Sequence, residues 1–460
     1  MKTGEQIVQE LPWKWGVQGR IFVIGGLGFM FDAWDVTLNG FLTPLLGSYW
    51  DLSQTERGLV ATGNLIGMAV GAVVWGTIAD RMGRKRAFAI TLLIFALFSV
   101  LGAFSPNFEI FVLLRFCAGF GLGGCIPVDY ALVSEFSPRR IRGKVLSAMD
   151  GWWPIGATIC GVVATALVPI DGDVRWRIML LFMILPALLL FWVRRGIPES
   201  PMYLAAVGRE EEARTVIDDL VARTGADVQQ YSITAEPPVK RTALSGVKAV
   251  WSYSPRITSA SWLLFVSIML LYYAALSWMP SILRREGYDD FAAFAGTTLM
   301  TAVGILGVAV SAYLVEVVGR KWVIGISGPI AGAALVLFAI MLDVGSAVLV
   351  WLAVFGFVIQ IAIPVLYCYV SELYPTPLRA SGFGYASSVS RIATGFAPLL
   401  FGSVMWPILG LPLTFAIVTA FVVLAVLWMA YAAPETKGRE LDTLEIGFQR
   451  TQMGYSPDSR

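Results

Sequence analysis

GTIADRMGRK at residues 76–85 returns as AYLVEVVGRK at 312–321, VSEFSPRRIRG at 133–143 as VSELYPTPLRA at 370–380, and PES at 198–200 as PET at 434–436. The offset is 236 or 237 residues each time, so the three matches share one register and mark a duplicated unit. The duplication pairs Asp80 with Glu316, Arg84 with Arg320, Glu135 with Glu372 and Arg142 with Arg379.

Between these motifs the chain is apolar. With 57% hydrophobic and 14% charged residues over 460 positions, it lies outside the soluble range, where about a quarter of residues are charged. Apolar runs of membrane length predict twelve spans at 21–47, 58–79, 87–105, 109–134, 145–169, 176–193, 257–283, 291–315, 322–342, 346–371, 380–405 and 411–433. The fold class expected is an all-α membrane protein of two pseudo-symmetric six-helix bundles: 1–196, then 257–433. A cytoplasmic linker at 197–256 joins them and a cytoplasmic tail, 434–460, follows. In the linker, Leu204, Val207, Val216, Ile217, Leu220 and Val221 recur at near-helical spacing, which predicts short amphipathic helices before a mobile stretch around 229–240.

Positive loops stay on the cytoplasmic side. Placing both termini there assigns to it 27 of the 34 Lys and Arg, with Arg57, Arg175, Arg177, Arg284 and Arg285 outside and Arg115 and Arg391 within the membrane. The first apolar run lacks a small-residue cleavage site and reads as a span, not a signal peptide. All four cysteines fall inside predicted spans and read as packing residues. No histidine is present, so proton coupling must use carboxylates and His-ligated metal sites are excluded. Neither a nucleotide loop nor a nucleophile with its base is visible, so no enzyme, cofactor or metal is expected. The net charge of +2 points to no nucleic-acid partner.

The costly feature is span 1, IFVIGGLGFMFDAWDVTLNGFLTPLLG at 21–47, which carries Asp32 and Asp35. At about 1.5 Å per residue both acids lie roughly 18 to 22 Å from Arg20, near or beyond the middle of the hydrocarbon core. Their i, i+3 spacing puts them on one helix face. Intramembrane charges cost about 2.5 to 3.5 kcal/mol and usually face a cavity or a partner. Either the pair lines an ion or substrate path, or each acid bonds a neighbouring helix. Arg391, roughly 16 Å into span 11, offers a planar fork that suits a carboxylate; it is a substrate ligand or the resting partner of Asp32 or Asp35. Arg115 in span 4 is a second candidate anion ligand, with a structural or proton-path role the preferred reading.

The loop G-x-x-A-D-R-x-G-R-K, Arg115-x-x-x-Gly119 with Gly121 and Gly123, and the PES and PET ends resemble the major facilitator superfamily in its sugar porter and organic ion branch. Within it, Phe31–Asp35, Gly123-Gly124 with Pro127-Val128, Leu271-Tyr272-Tyr273 with Ser277–Pro280, and Leu366 to Gly382 running into Ser390-Arg391-Ile392 are most similar to bacterial nicotinate transporters and to relatives of organic anion and cation transporters and synaptic vesicle glycoprotein 2. The match departs in span 4, where Cys125 follows the glycines in place of an acid and Asp129 stands one turn on, and in span 7, where Ala274 replaces a usual glycine.

The resemblance implies a midplane site between two bundles, alternating access and a monomer. A paired acid of this spacing also occurs in aromatic acid:proton symporters, and a basic residue near Arg391 marks anion carriers. The implied function is therefore proton-coupled uptake, across the inner membrane, of a small aromatic or heterocyclic carboxylate such as nicotinate. Asp32, Asp35 and Arg115 would couple protons. Arg391 would hold the carboxylate, with Tyr272, Tyr273, Trp278, Trp153, Tyr130 and Tyr369 as candidate ring clamps. Asp80, Arg81, Arg84, Glu135, Arg142, Asp150, Glu316, Arg320, Glu372 and Arg379 read as cytoplasmic gates, with plain surface charge as the alternative. A sugar is the weaker guess, because only Asn39, Asn64 and Gln360 supply amides in the spans. The remaining alternatives are a facilitator or exporter of organic cations or amphipathic drugs, and a non-transporting receptor.

Overall fold

The computed structural model describes residues 2–227, 230–233, 243–345 and 347–437. The stretch 229–240 therefore lies outside the described residues except at 230–233, as does the tail beyond 437. The chain divides into two compact units, Met1–Val239 with Ser277–Thr298, and Lys240–Leu276 with Leu299–Arg460.

A short α1 (Gly4–Glu10) precedes the first long helices: α2 (Arg20–Tyr49), α3 (Gln54–Met82), α4 (Arg84–Gly102) and α5 (Phe108–Phe136). They cover spans 1 to 4. α2 is apolar around its whole circumference and buried almost throughout, as expected of a helix surrounded by others. α3 and α5 touch backbone to backbone. A Cβ on Gly119 would lie 2.0 Å from the Asn64 carbonyl oxygen, one on Gly123 2.0 Å from that of Met68, and one on Gly71 2.1 Å from that of Phe120. Small residues four apart allow this approach between membrane helices.

Span 5 is not one helix. It divides into α6 (Arg142–Met149) and α7 (Trp152–Ala166), with Asp150 and Gly151 in the break. Pro154 is the cause, since it has no N–H to give the Asp150 carbonyl and its ring crowds that oxygen. Span 6 likewise forms α8 (Gly172–Leu181) and α9 (Leu185–Gly196) around a single tight turn at Phe182–Ile184, next to Pro186. The linker folds as α10 (Pro201–Ala206), α11 (Glu210–Thr224) and α12 (Ala243–Tyr253). Leu204, Ile217 and Leu220 are buried, whereas Val207 ends α10 and points outward. An unforeseen contact ties the chain's start to this layer: β1 (Lys2–Thr3) runs parallel to β2 (Tyr231–Ser232), and Ile7 and Val8 of α1 are buried.

The second half continues with α13 (Pro255–Arg285), α14 (Asp290–Val317), α15 (Arg320–Ile340), α16 (Ala347–Glu372), α17 (Thr376–Leu400) and α18 (Trp406–Ala432). All twelve expected spans thus have helical counterparts. The turn before the last one is sharper than expected, made at Gly410, whose φ of 75° is open to glycine. The duplication is physical: a Cβ on Gly356 would lie 2.0 Å from the Met300 carbonyl and one on Gly307 2.3 Å from that of Phe357. Shifted by 236 or 237 residues, these are the contacts of Gly119 with Asn64 and of Gly71 with Phe120.

The PES and PET ends gain a meaning from the same symmetry. Glu199 accepts from the Lys85 backbone N–H at 3.1 Å, and Glu435 from those of Arg320 and Lys321 at 3.0 Å each, so each carboxylate caps the helix that follows a GRK motif. An anion at a helix N-terminus meets unpaired N–H groups and the positive end of the dipole. Glu199→Gln and Glu435→Gln should each lower stability by about 0.5 to 2 kcal/mol, read as a drop in the thermal midpoint of purified protein. An unchanged midpoint in both would show the caps to be incidental.

Candidate functional site

The polar centre of the first unit is a closed network. Arg115 on α5 grips Asp35 on α2 with two parallel bonds, Nη1 to Oδ1 at 2.8 Å and Nη2 to Oδ2 at 3.0 Å, and neither side chain has any exposed surface. Asn39 Oδ1 accepts from Arg115 Nη2 at 2.8 Å and Nε at 3.2 Å. Asn64 on α3 donates to Asp35 Oδ2 at 3.0 Å and accepts from Asn39 at 3.0 Å. Ser99 on α4 donates to Asp35 Oδ1 at 3.4 Å. Four helices meet here, and the glycine contact explains how: Gly119 presses on the Asn64 carbonyl one turn from Arg115, whose own carbonyl accepts from Asn64 Nδ2 at 3.3 Å. Of the alternatives for Arg391, pairing with Asp35 is taken up instead by Arg115, which holds that carboxylate.

Asp32, one turn earlier on α2, is also fully buried, but it faces a different neighbour. Asp129 on α5 has no exposed surface, and its charge interacts with that of Asp32. Its Oδ2 lies 2.9 Å from where a Cβ on Gly28 would be, and neither carboxyl oxygen has a hydrogen-bond partner among the described residues. Cys125, one turn before Asp129, bonds Thr91 at 3.4 Å. The sequence marks the departure at Cys125 and assigns Asp129 no role. The available signal was the matched pair of one-turn steps, Gly28 to Asp32 and Cys125 to Asp129.

Arg391 on α17 is partly exposed, and its guanidinium makes no ion pair or hydrogen bond with a described residue. In the same unit Tyr272 is buried, accepts from Gln360 Nε2 at 3.3 Å, and meets Tyr273 edge-on at 5.6 Å. Phe265, Tyr367 and Phe383 form a second group, the first two stacked at 5.4 Å. Tyr369 does not join the ring clamps: it is fully buried, and its hydroxyl donates to the Pro434 carbonyl at 2.7 Å, about 13 Å along α16 from Gln360. In the first unit Phe29 touches both Tyr130 and Trp153, while the Tyr130 hydroxyl donates to Asp150 at the helix break. Trp278 is buried in that unit as well.

The predicted gate charges form matching sets inside each unit. Arg84 reaches Glu135 at 3.4 Å; Arg320 grips Glu372 through two bonds of 3.1 and 3.2 Å, with Glu316 at 3.6 Å. Thr436 donates to Glu372 at 2.6 Å. Arg81 is exposed and offers its carbonyl to Tyr203. Arg142 gives one bond, to the Ser137 carbonyl, while its buried Nε, and Nε and Nη2 of Arg379, have no partner among the described residues. The side chain of Asp80 lies outside the described residues. Asp290 is an unforeseen member, clamped by Arg175 at 2.6 Å and Arg284 at 2.8 Å.

A family model described as "Sugar (and other) transporter" matches residues 21–448. The niacin transporter NiaP of Acinetobacter baylyi is 33% identical over 92% of this chain and 95% of its own length. The putative niacin/nicotinamide transporter NiaP of Bacillus subtilis is 32% identical over 92% and 98%. Among solved structures, the xylose transporter XylE of E. coli, partially occluded and inward open, superposes with a TM-score of 0.74 at 20% identity, covering 92% of this chain and 99% of its own. That likeness shows the fold.

Breaking a buried ion pair strands the surviving charge, at about 3 to 5 kcal/mol, whereas replacing both partners with apolar groups can be near neutral. Asp35→Asn and Arg115→Met should each lower the thermal midpoint strongly, and the double variant Asp35→Leu/Arg115→Met should recover much of the loss. Additive losses in the double variant would mean that the two side chains do not depend on each other.

Proposed function

The chain belongs to the sugar (and other) transporter family of the major facilitator superfamily, and from that premise we propose that it takes up a small aromatic or heterocyclic carboxylate such as nicotinate together with a proton. That it is a membrane transporter and not an enzyme follows from the family. The observation that carries the finer reading is Arg391: a permanently charged fork inside an apolar helix, partly exposed, with no partner among the described residues. Of its two candidate intramolecular counter-ions, Asp32 and Asp35, the second is held by Arg115. A guanidinium left in that state has a use for an anionic ligand, and a carboxylate matches its two parallel donors.

The rings of Tyr272 and Tyr273 in the same unit suit a flat substrate body, with stacking adding about 0.5 to 1.5 kcal/mol per pair. The similarity to niacin transporters supports the same substrate class. In this reading transport proceeds by alternating access of two six-helix halves in a monomer, in the inner membrane, with both termini in the cytoplasm. Arg84 and Arg320 already bond inside their own units, so they brace; gating falls to Arg142 and Arg379, which have donors to spare.

In proteoliposomes, labelled nicotinate should accumulate only with an inward proton gradient and be displaced by benzoate more readily than by nicotinamide. Arg391→Gln should cut uptake by about tenfold or more, the equivalent of a charged hydrogen bond of about 1.5 to 3 kcal/mol. Arg391→Lys should restore it only in part, since a point charge does not reproduce the fork. Displacement by a quaternary ammonium instead, with Arg391→Gln unaffected, would overturn the anion reading.

A further inference from the structure

We propose that Asp129 is a proton-carrying residue, sharing one proton with Asp32 across the α2–α5 contact, separately from the Asp35–Arg115 pair. The inference rests on the proton-coupled reading above and deepens it. Asp35 receives donors from an arginine, an amide and a hydroxyl. Asp129 has the opposite setting. It is fully buried, neither oxygen receives a hydrogen bond from a described residue, and the charged group acting on it is Asp32, another acid.

Among the described residues, no cation is placed against Asp129. From α2 come Gly28 and Asp32; from α4 the Phe88 ring, which would lie 2.8 Å from a Cβ on Gly28, and Thr91, which bonds the Cys125 thiol. On α5 itself Cys125 feels both acids. A buried carboxylate without donors is expensive, and two that interact do not both ionise in a dry site. One proton held between them removes the cost. Access of the pair to one side of the membrane would load the proton (COO⁻ to COOH), and access to the other would release it.

The duplication argues that this acid is not there for the fold. Asp129 shifted by 237 residues falls on Leu366 of α16, a fully buried apolar side chain. Gly28 points the same way, since any side chain there would occupy the space that the Asp129 carboxyl and the Phe88 ring share.

The test compares wild type, Asp129→Asn, Asp129→Leu and Asp32→Asn in lipid vesicles, with two readouts. Infrared difference spectra across a pH step should show a protonated-carboxyl stretch in wild type that disappears in all three variants. Proton entry accompanying nicotinate, followed with an internal pH dye, should be lost in the Asp129 variants while nicotinate counterflow continues. The midpoint of Asp129→Leu should not fall, because no bond is removed. A purely structural acid would give the reverse: a lower midpoint and unaltered coupling. If wild type co-transports protons and the Asp129 variants do so at the same ratio, this inference fails and the proton-coupled reading stands. If wild type moves no protons with substrate, that reading fails, and the infrared band alone decides: unaltered in both Asp129 variants, it overturns the shared proton; lost in them, it upholds it.

Discussion

The bond between Asp35 and Arg115 sets the terms for the first unit. A guanidinium in hydrocarbon has no way to discharge itself, so the fold must bring it a carboxylate and satisfy its remaining donors. Doing so takes side chains from four helices, and it works because α3 and α5 approach to backbone contact at Gly119, Gly123 and Gly71. The second unit repeats that contact without the charge. Asn64 becomes Met300 and Arg115 becomes Leu352, both buried in the matching helix pair. The same packing therefore stands on apolar side chains alone. The ion pair is an addition to the architecture, and its retention in one half calls for a reason other than holding helices together.

Two aspartates one turn apart on one helix illustrate how environment assigns roles. Asp35 meets donors on three neighbouring helices and pairs with Arg115 through two parallel bonds. Asp32 faces a second buried acid, Asp129, whose carboxyl has no hydrogen-bond donor among the described residues. Since Arg115 consumes Asp35, the other intramembrane arginine, Arg391, is left without a counter-ion among the described residues.

Much of this architecture was legible before any coordinates. Hydropathy is a property of continuous stretches, so the twelve spans could be read directly, and the repeated PES and PET ends pointed at positions that turn out to cap equivalent helices. Pro154 and Pro186 broke spans that hydropathy alone reads as continuous, and that signal was available in the residues themselves. What stayed hidden depended on helix rotation. Arg115 is 80 residues from Asp35, and which arginine meets which acid is decided by the faces that glycine contacts bring together. Tyr369 shows the same limit: its composition and place suited a ring clamp, yet its hydroxyl is taken by the Pro434 carbonyl.

Duplication offers a way round that limit, because the two halves act as controls for each other. Where both keep a polar residue, as with Arg84 and Glu135 against Arg320 and Glu372, the common requirement is structural, and both copies bond within their own unit. Where one half has an acid or a base and the other Leu352 or Leu366 at the matching place, the fold has demonstrated that it can do without the charge. Burying a charge still costs several kcal/mol, so a charge kept against a working apolar alternative is evidence of use. By that criterion Arg115 and Asp129 on α5 stand apart, since their counterparts Leu352 and Leu366 are buried and apolar.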